Sequence, residues 1–124
     1  MAAFDFLLHH IARHVQLEPD EAALCASLFH FRTVKRKEFL LQQGAICKME
    51  SFITKGCLRC YTIDDSGQEH IIMFGIEDWW VSDLYSFFTQ TPATYFIDAL
   101  EETEILHISK VDLELLYQKV PKFE

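Results

Sequence analysis

Two of the four cysteines in this chain of 124 residues have a spacing that could support chemistry. Cys57 and Cys60 form a Cys-x-x-Cys pair, the spacing found in zinc and redox sites. The pair lies in a β-rich run, and residues i and i+3 of a strand point to opposite faces, so both thiols cannot bind one ion. Buried, unreactive thiols are therefore the preferred interpretation. Neither an iron–sulfur cluster nor a disulfide framework is expected.

The histidines raise the alternative of a metal-dependent enzyme of the cupin type, which is built on a small β-barrel with inward-facing His and Glu side chains. Glu69 and His70 begin a predicted strand, but Ile72 stands where such a site needs a second histidine. His10 and His14 lie one helical turn apart, with no third ligand nearby in the sequence. A solvated helix face is the preferred interpretation for them. We expect no metal site and no catalytic residue.

The charge of the chain argues against direct DNA binding. The formal net charge is −8 and the pI is about 5.1, whereas contacts to phosphates require clustered Lys and Arg. One basic cluster exists, Lys35-Arg36-Lys37, between two apolar runs. It is interpreted as a hairpin turn, or as a strand edge protected by charge against unwanted pairing.

Composition and hydropathy predict one compact domain. Half of the residues are hydrophobic and 24% are charged, which is typical of a folded chain. The first ten residues lack the basic start of a secretory signal, and no apolar run approaches the roughly 18 residues that span a bilayer. A cytoplasmic location is expected, with no membrane partner.

Helical spacing of apolar residues appears at both ends of the chain. The first predicted helix has its apolar stripe at Phe4, Leu7, Leu8, Ile11 and Val15. The second begins at Pro19 and ends near His30. Two more are predicted at 83–88 and 110–119. The last of these has its buried stripe at Val111, Leu115, Leu116 and Val120.

Between Gly44 and Gly75 the chain is composed of short β-rich runs separated by glycines. Asp64-Asp65-Ser66-Gly67 predicts a hairpin, because Asp and Gly tolerate the positive φ angles of tight turns. The order of Glu38 to Gly44, Ile53 to Arg59, this hairpin and Trp79 to Leu84 resembles the effector domain of Crp/Fnr-type transcription regulators.

The resemblance implies a mainly β fold with flanking helices, a double-stranded β-helix (jelly-roll) barrel of the cyclic-nucleotide-binding-domain type. It implies one domain over residues 1–124, with a helical N-terminus at about 1–30, the barrel at about 31–109 and a C-terminal helix at about 110–120. The family's long dimerisation helix would begin near Pro121. Its DNA-binding winged helix-turn-helix is absent from this chain, so DNA would be contacted only through that missing domain. A full-length regulator is expected to be a homodimer, and this fragment a monomer.

The resemblance also identifies the candidate site. In nucleotide-binding members a Gly-Glu pair and a later Arg form the phosphate-binding cassette; these positions fall on Ser82-Asp83 and Ala93, and only Thr94 keeps its type. Loss of the Arg should weaken phosphate binding by about 10- to 150-fold, and no Lys or Arg occurs from Gly75 to Leu100. The candidate ligand-binding residues are Val81, Ser82, Asp83, Leu84, Ala93, Thr94 and Tyr95.

We therefore expect an effector-sensing domain with a degenerate cassette that does not bind cyclic AMP with high affinity, and no certain cofactor. Its partner would be a small-molecule effector. A neutral or cation-bearing effector would suit Asp83, unless that side chain caps the following helix. Three other functions remain open: a cyclic AMP or cyclic GMP binder that uses backbone amides, the cupin-like metal enzyme, and a ligand-free interaction module. Trp79-Trp80 is interpreted as one core indole and one interface indole rather than a stacking site.

Overall fold

The structure, a computed structural model, describes residues 2–123; residues 1 and 124, the limits of the predicted domain, lie outside it. Its elements in chain order are α1 (Ala2–Ala12), α2 (Pro19–Leu28), β1 (His30–Val34), β2 (Phe39–Leu41), β3 (Met49–Lys55), β4 (Leu58–Ile63), β5 (Glu69–Gly75), β6 (Trp80–Val81), α3 (Leu84–Thr89), β7 (Phe96–Ala99), β8 (Thr103–Ser109), α4 (Lys110–Lys119) and a final 3-10 turn (Pro121–Phe123).

The strands form two antiparallel sheets of four strands each. One sheet has the order β1-β8-β3-β6 and the other β2-β7-β4-β5. This arrangement confirms the predicted jelly roll with flanking helices. Within the described residues no ladder joins the two sheets, so the roll is a sandwich of two sheets and not a closed hydrogen-bonded barrel.

Alternation along β3 determines what each face of the first sheet contacts. Phe52 is fully buried and its ring lies 5.8 Å from that of Phe6 on α1. Its neighbour Ile53 faces the other sheet, where it lies beside Gly75. Because successive side chains of a strand point to opposite faces, the first sheet has one face against the helices and one face against the second sheet.

The β4–β5 connection confirms the predicted hairpin. Asp64 Oδ1 accepts hydrogen bonds from the backbone N–H groups of Ser66 at 2.9 Å and Gln68 at 3.0 Å. Gly67 has a φ of +86°, a conformation that glycine adopts without steric cost. The turn therefore forms from its own local hydrogen bonds.

The basic cluster Lys35-Arg36-Lys37 lies in a tight turn, in which Glu38 N–H donates to Lys35 O at 2.9 Å. The turn is not a hairpin, because β1 pairs with β8 whereas β2 pairs with β7. The hairpin prediction is wrong at this position: the turn carries the chain from one sheet to the other.

Two other local predictions need correction. On α4 the fully or nearly buried residues are Leu113 and Leu116, while Val111 is 75% exposed. Ser109 caps this helix directly after β8, so the strand sets its rotation, and the stripe passes through Leu113 and Leu116 to Val120. Cys57 lies in the β3–β4 turn, not in a strand; Cys60 lies in β4 and is buried.

His10 is not on a solvated face of α1, contrary to the sequence-based interpretation. Its side chain is only 15% exposed. Its Nδ1 lies 2.7 Å from Asp78 Oδ1, and Trp80 Nε1–H donates to its Nε2 at 3.2 Å. Because Nε2 must accept this bond, Nδ1 carries the proton and donates to Asp78. The imidazole thus joins α1 to the segment between β5 and β6.

Candidate functional site

The segment from β6 to β7 contains all seven candidate ligand-binding residues, and Asp83 is at its centre. Asp83 is 2% exposed and is the N-cap of α3. Its Oδ1 accepts the Ser86 backbone N–H at 3.1 Å, and its Oδ2 accepts the Thr94 backbone N–H at 2.9 Å. One carboxylate therefore joins the start of the helix to the chain that enters β7, and each of its oxygens accepts a backbone N–H within the protein.

Ala93 stands where the resemblance would place a phosphate-binding Arg. It is 4% exposed, its N–H donates to Ala45 O at 2.7 Å, and its carbonyl accepts the Gly44 N–H at 2.9 Å. This pair of backbone bonds holds the segment against the loop between β2 and β3.

Ser86, which the sequence reasoning did not single out, closes the same segment from inside α3. Its hydroxyl accepts the Cys47 N–H at 2.9 Å and donates to Thr91 O at 2.6 Å. A serine in the interior of a short helix is the sequence signal that could have identified it, since Ser is unfavourable there unless it makes such bonds.

A cavity of about 140 Å³ lies between the two sheets beside this segment. Val81 and Ser82 line it from the cassette side, and Arg32, Lys48 and His107 line it from β1, the β2–β3 loop and β8. His107 is half-buried and its Nδ1 is buried without a hydrogen-bond partner. Burial, and secondarily Arg32 and His30, lower the pKa of His107 below its usual range.

A larger groove of about 540 Å³ lies on the helix side of the first sheet. Leu84 and Phe88 of α3 line it together with Trp80 and Glu50. Glu50 Oε2 accepts a hydrogen bond from Ser82 Oγ at 2.9 Å, while its Oε1 is buried and unpartnered. Burial raises the pKa of the Glu50 carboxyl, an effect that the bond from Ser82 partly offsets.

The candidate residues therefore divide among several places. Asp83 brings Ser86 and Thr94 together, Val81 and Ser82 face the inner cavity, and Leu84 faces the outer groove. Tyr95 is half-buried and packs against the core. Sequence reasoning also did not select Glu50 and His107. No local signal marks them, because β3 also contains Lys55 and β8 also contains Glu104.

Two other chemistries receive no support. In the part of the chain that the structure describes, no three His, Cys, Asp or Glu side chains are grouped so that they could hold a metal. Burial raises the pKa of Cys25 to about 12 and that of Cys60 to about 11, so both are protonated thiols at neutral pH.

None of the described helices combines the length and the apolar character needed to cross a membrane.

The fold is similar to those of several solved proteins. The chain superposes on the catabolite activator protein of Thermus thermophilus with a TM-score of 0.78 and 20% identity, over 92% of this chain and 52% of that one. The sensor domain of the transcriptional regulator DNR from Pseudomonas aeruginosa gives 0.80 and 16%, over 96% and 79%. The N-terminal domain of a Streptomyces coelicolor A3(2) transcriptional regulator gives 0.75 and 19%, over 92% and 79%. The chain thus spans about half the length of the Thermus protein.

Comparison with curated protein sequences gave no significant match. The family model of the cyclic nucleotide-binding domain, in contrast, matches residues 31–120. This range begins at the second residue of β1 and includes all the later strands, the cassette segment and α4. The chain therefore belongs to the cyclic nucleotide-binding domain family and shares its fold with the sensor domains of Crp/Fnr-type transcription regulators.

Proposed function

We propose that this chain is the effector-sensing domain of a Crp/Fnr-like transcription regulator whose phosphate-binding cassette no longer binds cyclic nucleotides with high affinity. The domain would act in the cytoplasm without catalysing a reaction. DNA would be contacted by a separate domain outside residues 1–124. The regulator would be a homodimer, in which the two DNA-binding domains contact the two half-sites of an operator.

The observation that carries the proposal is the carboxylate of Asp83. A binder without the Arg would need free backbone N–H groups for the phosphate, but Asp83 accepts those of Ser86 and Thr94, and Ala45 accepts that of Ala93. A cyclic phosphate would have to displace these bonds. It would also approach a buried carboxylate, and like charges repel strongly where water is excluded.

Signalling in such a domain would follow from a shift between conformations, not from chemistry. A ligand changes the populations of two states only by as much as it binds one better than the other. The helix α3 is suited to respond to such binding. Its N-cap Asp83 follows Val81 and Ser82, which line the inner cavity, and its Leu84 and Phe88 line the outer groove next to α4. Movement of α4 would pass to the chain that follows it.

Titration calorimetry of the 124-residue chain with cyclic AMP and cyclic GMP tests the proposal. We expect no saturable binding at micromolar concentrations and no thermal shift; a ligand at 100 times its Kd would add about 2.7 kcal/mol, or roughly 10–20 °C in a small domain. Asp83→Asn keeps an N-cap acceptor but removes the charge and releases the Thr94 N–H, so it should bind the nucleotides about tenfold more tightly than the native chain. A micromolar Kd for the native chain would contradict the proposal.

A second function, the interaction module, is favoured by the surface of β5. This strand is at the edge of its sheet, and Ile71, Ile72 and Phe74 are each 44–51% exposed. An apolar edge strand is a template for association. Ile72→Lys should abolish any concentration-dependent association seen in sedimentation. Association that this variant leaves unchanged would rule β5 out as the contact.

A further inference from the structure

We infer that the inner cavity binds a compact oxyanion, a short carboxylate or a phosphate, through Arg32, Lys48 and His107. The inference rests on the proposed function and names the chemical class of its effector. It places the charge-binding groups on β1, β8 and the β2–β3 loop, across the cavity from the cassette.

The charge of the cavity wall is the first support. Arg32 lies in β1 and lines the cavity; its nearest carboxylate oxygen, on Glu38, is 3.6 Å away, longer than a hydrogen bond. Among residues 2–123 no carboxylate lies within ion-pair distance of Lys48. In a chain with a net charge of −8, these two cations beside one cavity are a local exception.

The second support is an unmet hydrogen bond. His107 Nδ1 is buried and has no partner, which costs free energy that a ligand oxygen would recover. Ser51, 1% exposed and paired with His107 across the β3–β8 ladder, and Ser82 also line the cavity. An oxyanion has several acceptor oxygens, so it can accept from the imidazole and the guanidinium together.

Size limits the ligand. A volume of about 140 Å³ is well below the roughly 300–1,000 Å³ of pockets that enclose drug-sized molecules. Since a water molecule occupies about 30 Å³ in the liquid, the cavity has the volume of only about four or five water molecules. Apolar side chains of Leu41, Val81 and Ile97 form part of the wall and leave room for a short carbon chain. The expected ligand is therefore smaller than a cyclic nucleotide.

The surrounding ionisable groups determine how binding depends on pH. His107 is faced by His30 and Arg32 from β1, and by Lys48 from the loop. The carboxylate of Glu38 lies 3.6 Å from the Arg32 guanidinium. Asp83 and Glu50 lie on the cassette side, near Cys47. A bound anion would stabilise the charged form of the His107 imidazole, so anion binding would be coupled to protonation of His107. Binding should therefore strengthen as the pH falls.

The test uses the 124-residue chain with inorganic phosphate, propionate and succinate, monitored by calorimetry and by the NMR signals of the His107 ring. We expect saturable binding of at least one anion. Lys48→Gln should weaken it by about two- to fivefold, since Lys48 is exposed, and Arg32→Gln by about tenfold or more. Lys119→Gln, an equal charge change on α4, should leave it unchanged. Propionate, ionised from about pH 6 to 8, should bind more weakly at the higher pH.

Absence of binding by all three anions overturns the inference, and so does binding that Arg32→Gln and Lys48→Gln leave unaffected. Lys48 is exposed, so its variant should fold even if Arg32→Gln does not. The two proposals fail separately. Tight cyclic AMP binding would refute the degenerate cassette, whereas failure to bind small anions would leave that conclusion intact and refute only this effector class.

Discussion

At the scale of single residues, Asp83 decides how the cassette is organised. Sequence reasoning placed it in the ligand site, with the condition that capping of the next helix would remove the basis for a cation-bearing ligand. The structure meets that condition, because both carboxylate oxygens accept backbone N–H groups, one from Ser86 and one from Thr94. An N-cap bond satisfies a helix donor that has no partner within the helix. The role of Asp83 is therefore to hold the segment together.

Asp83→Ala should destabilise the domain by about 2–4 kcal/mol, because it leaves two N–H groups, those of Ser86 and Thr94, without their acceptor. Asp83→Asn keeps an acceptor for Ser86 alone and should cost about half as much. Urea denaturation measures both variants. Equal stability of the alanine variant and the native chain would show that these bonds contribute nothing.

At the scale of elements, α1 is attached to the sheet by polar contacts as well as by its apolar stripe. His10 donates to Asp78, accepts from Trp80 and packs its ring 4.9 Å from that of Phe52. Arg13 forms an ion pair with the same carboxylate. Asp78 has a φ of +78°, and these partners hold its carboxylate in place.

His10→Ala should lower the free energy of unfolding by about 1–3 kcal/mol through loss of two hydrogen bonds and a ring contact. His9→Ala is the matched control: His9 lies on the same helix and is exposed, so its replacement should change stability by less than about 0.5 kcal/mol. Hydrogen exchange of α1 should rise selectively in the first variant. Equal effects of the two changes would refute the attachment role.

Turns differ in how strictly they need glycine. Gly56 has a φ of +109°, and a Cβ there would lie 2.6 Å from Thr103 Oγ1 and 2.8 Å from Thr103 Cα. Gly67 has a φ of +86° but open space around it. Gly56→Ala should therefore cost about 2–4 kcal/mol, against about 1 kcal/mol for Gly67→Ala, by thermal denaturation. A similar cost at both positions would mean that the contact with Thr103 adds nothing to the φ penalty.

At the scale of the whole molecule, the hydrogen bonds and ion pairs of several carboxylates determine how stability depends on acid pH. Lys122 lowers the pKa of Glu21, Ser66 and His70 lower that of Asp64, and Arg13 and His10 lower that of Asp78. A carboxyl whose folded pKa is depressed stabilises the fold above its ordinary pKa, and this contribution is lost as the pH falls through the folded value. Burial of Glu50 raises its pKa and so acts in the opposite direction.

The midpoint of thermal unfolding should consequently fall as the pH is lowered from about 5 to about 3, since three depressed carboxyls outweigh Glu50. Asp64→Asn should lower the midpoint at neutral pH and reduce this fall. Asp65→Asn, in the same turn, is the control and should follow the native curve. An unchanged acid profile in Asp64→Asn would exclude Asp64 as a contributor.

Local sequence was sufficient to predict many of the elements. Apolar spacing predicted three of the four helices, and Asp64 with Gly67 predicted the β4–β5 hairpin, because these signals come from residues within a few positions of one another. The same information failed at Lys35 to Lys37, where a turn was predicted correctly but its strands belong to different sheets. A short-range signal specifies a turn, while strand partners are chosen by distant residues.

The sequence by itself determined the jelly-roll family and the overall negative charge, and it has Ala93 where the resemblance predicts an Arg. Tertiary structure alone decided that Asp83 caps α3, that the half-buried His10 contacts Trp80, and that Arg32, Lys48 and His107 line one cavity. The physical reason is separation along the chain. Arg32 and His107 are brought together by a β1–β8 pairing whose free energy comes from burying the whole core, and no local pattern encodes it.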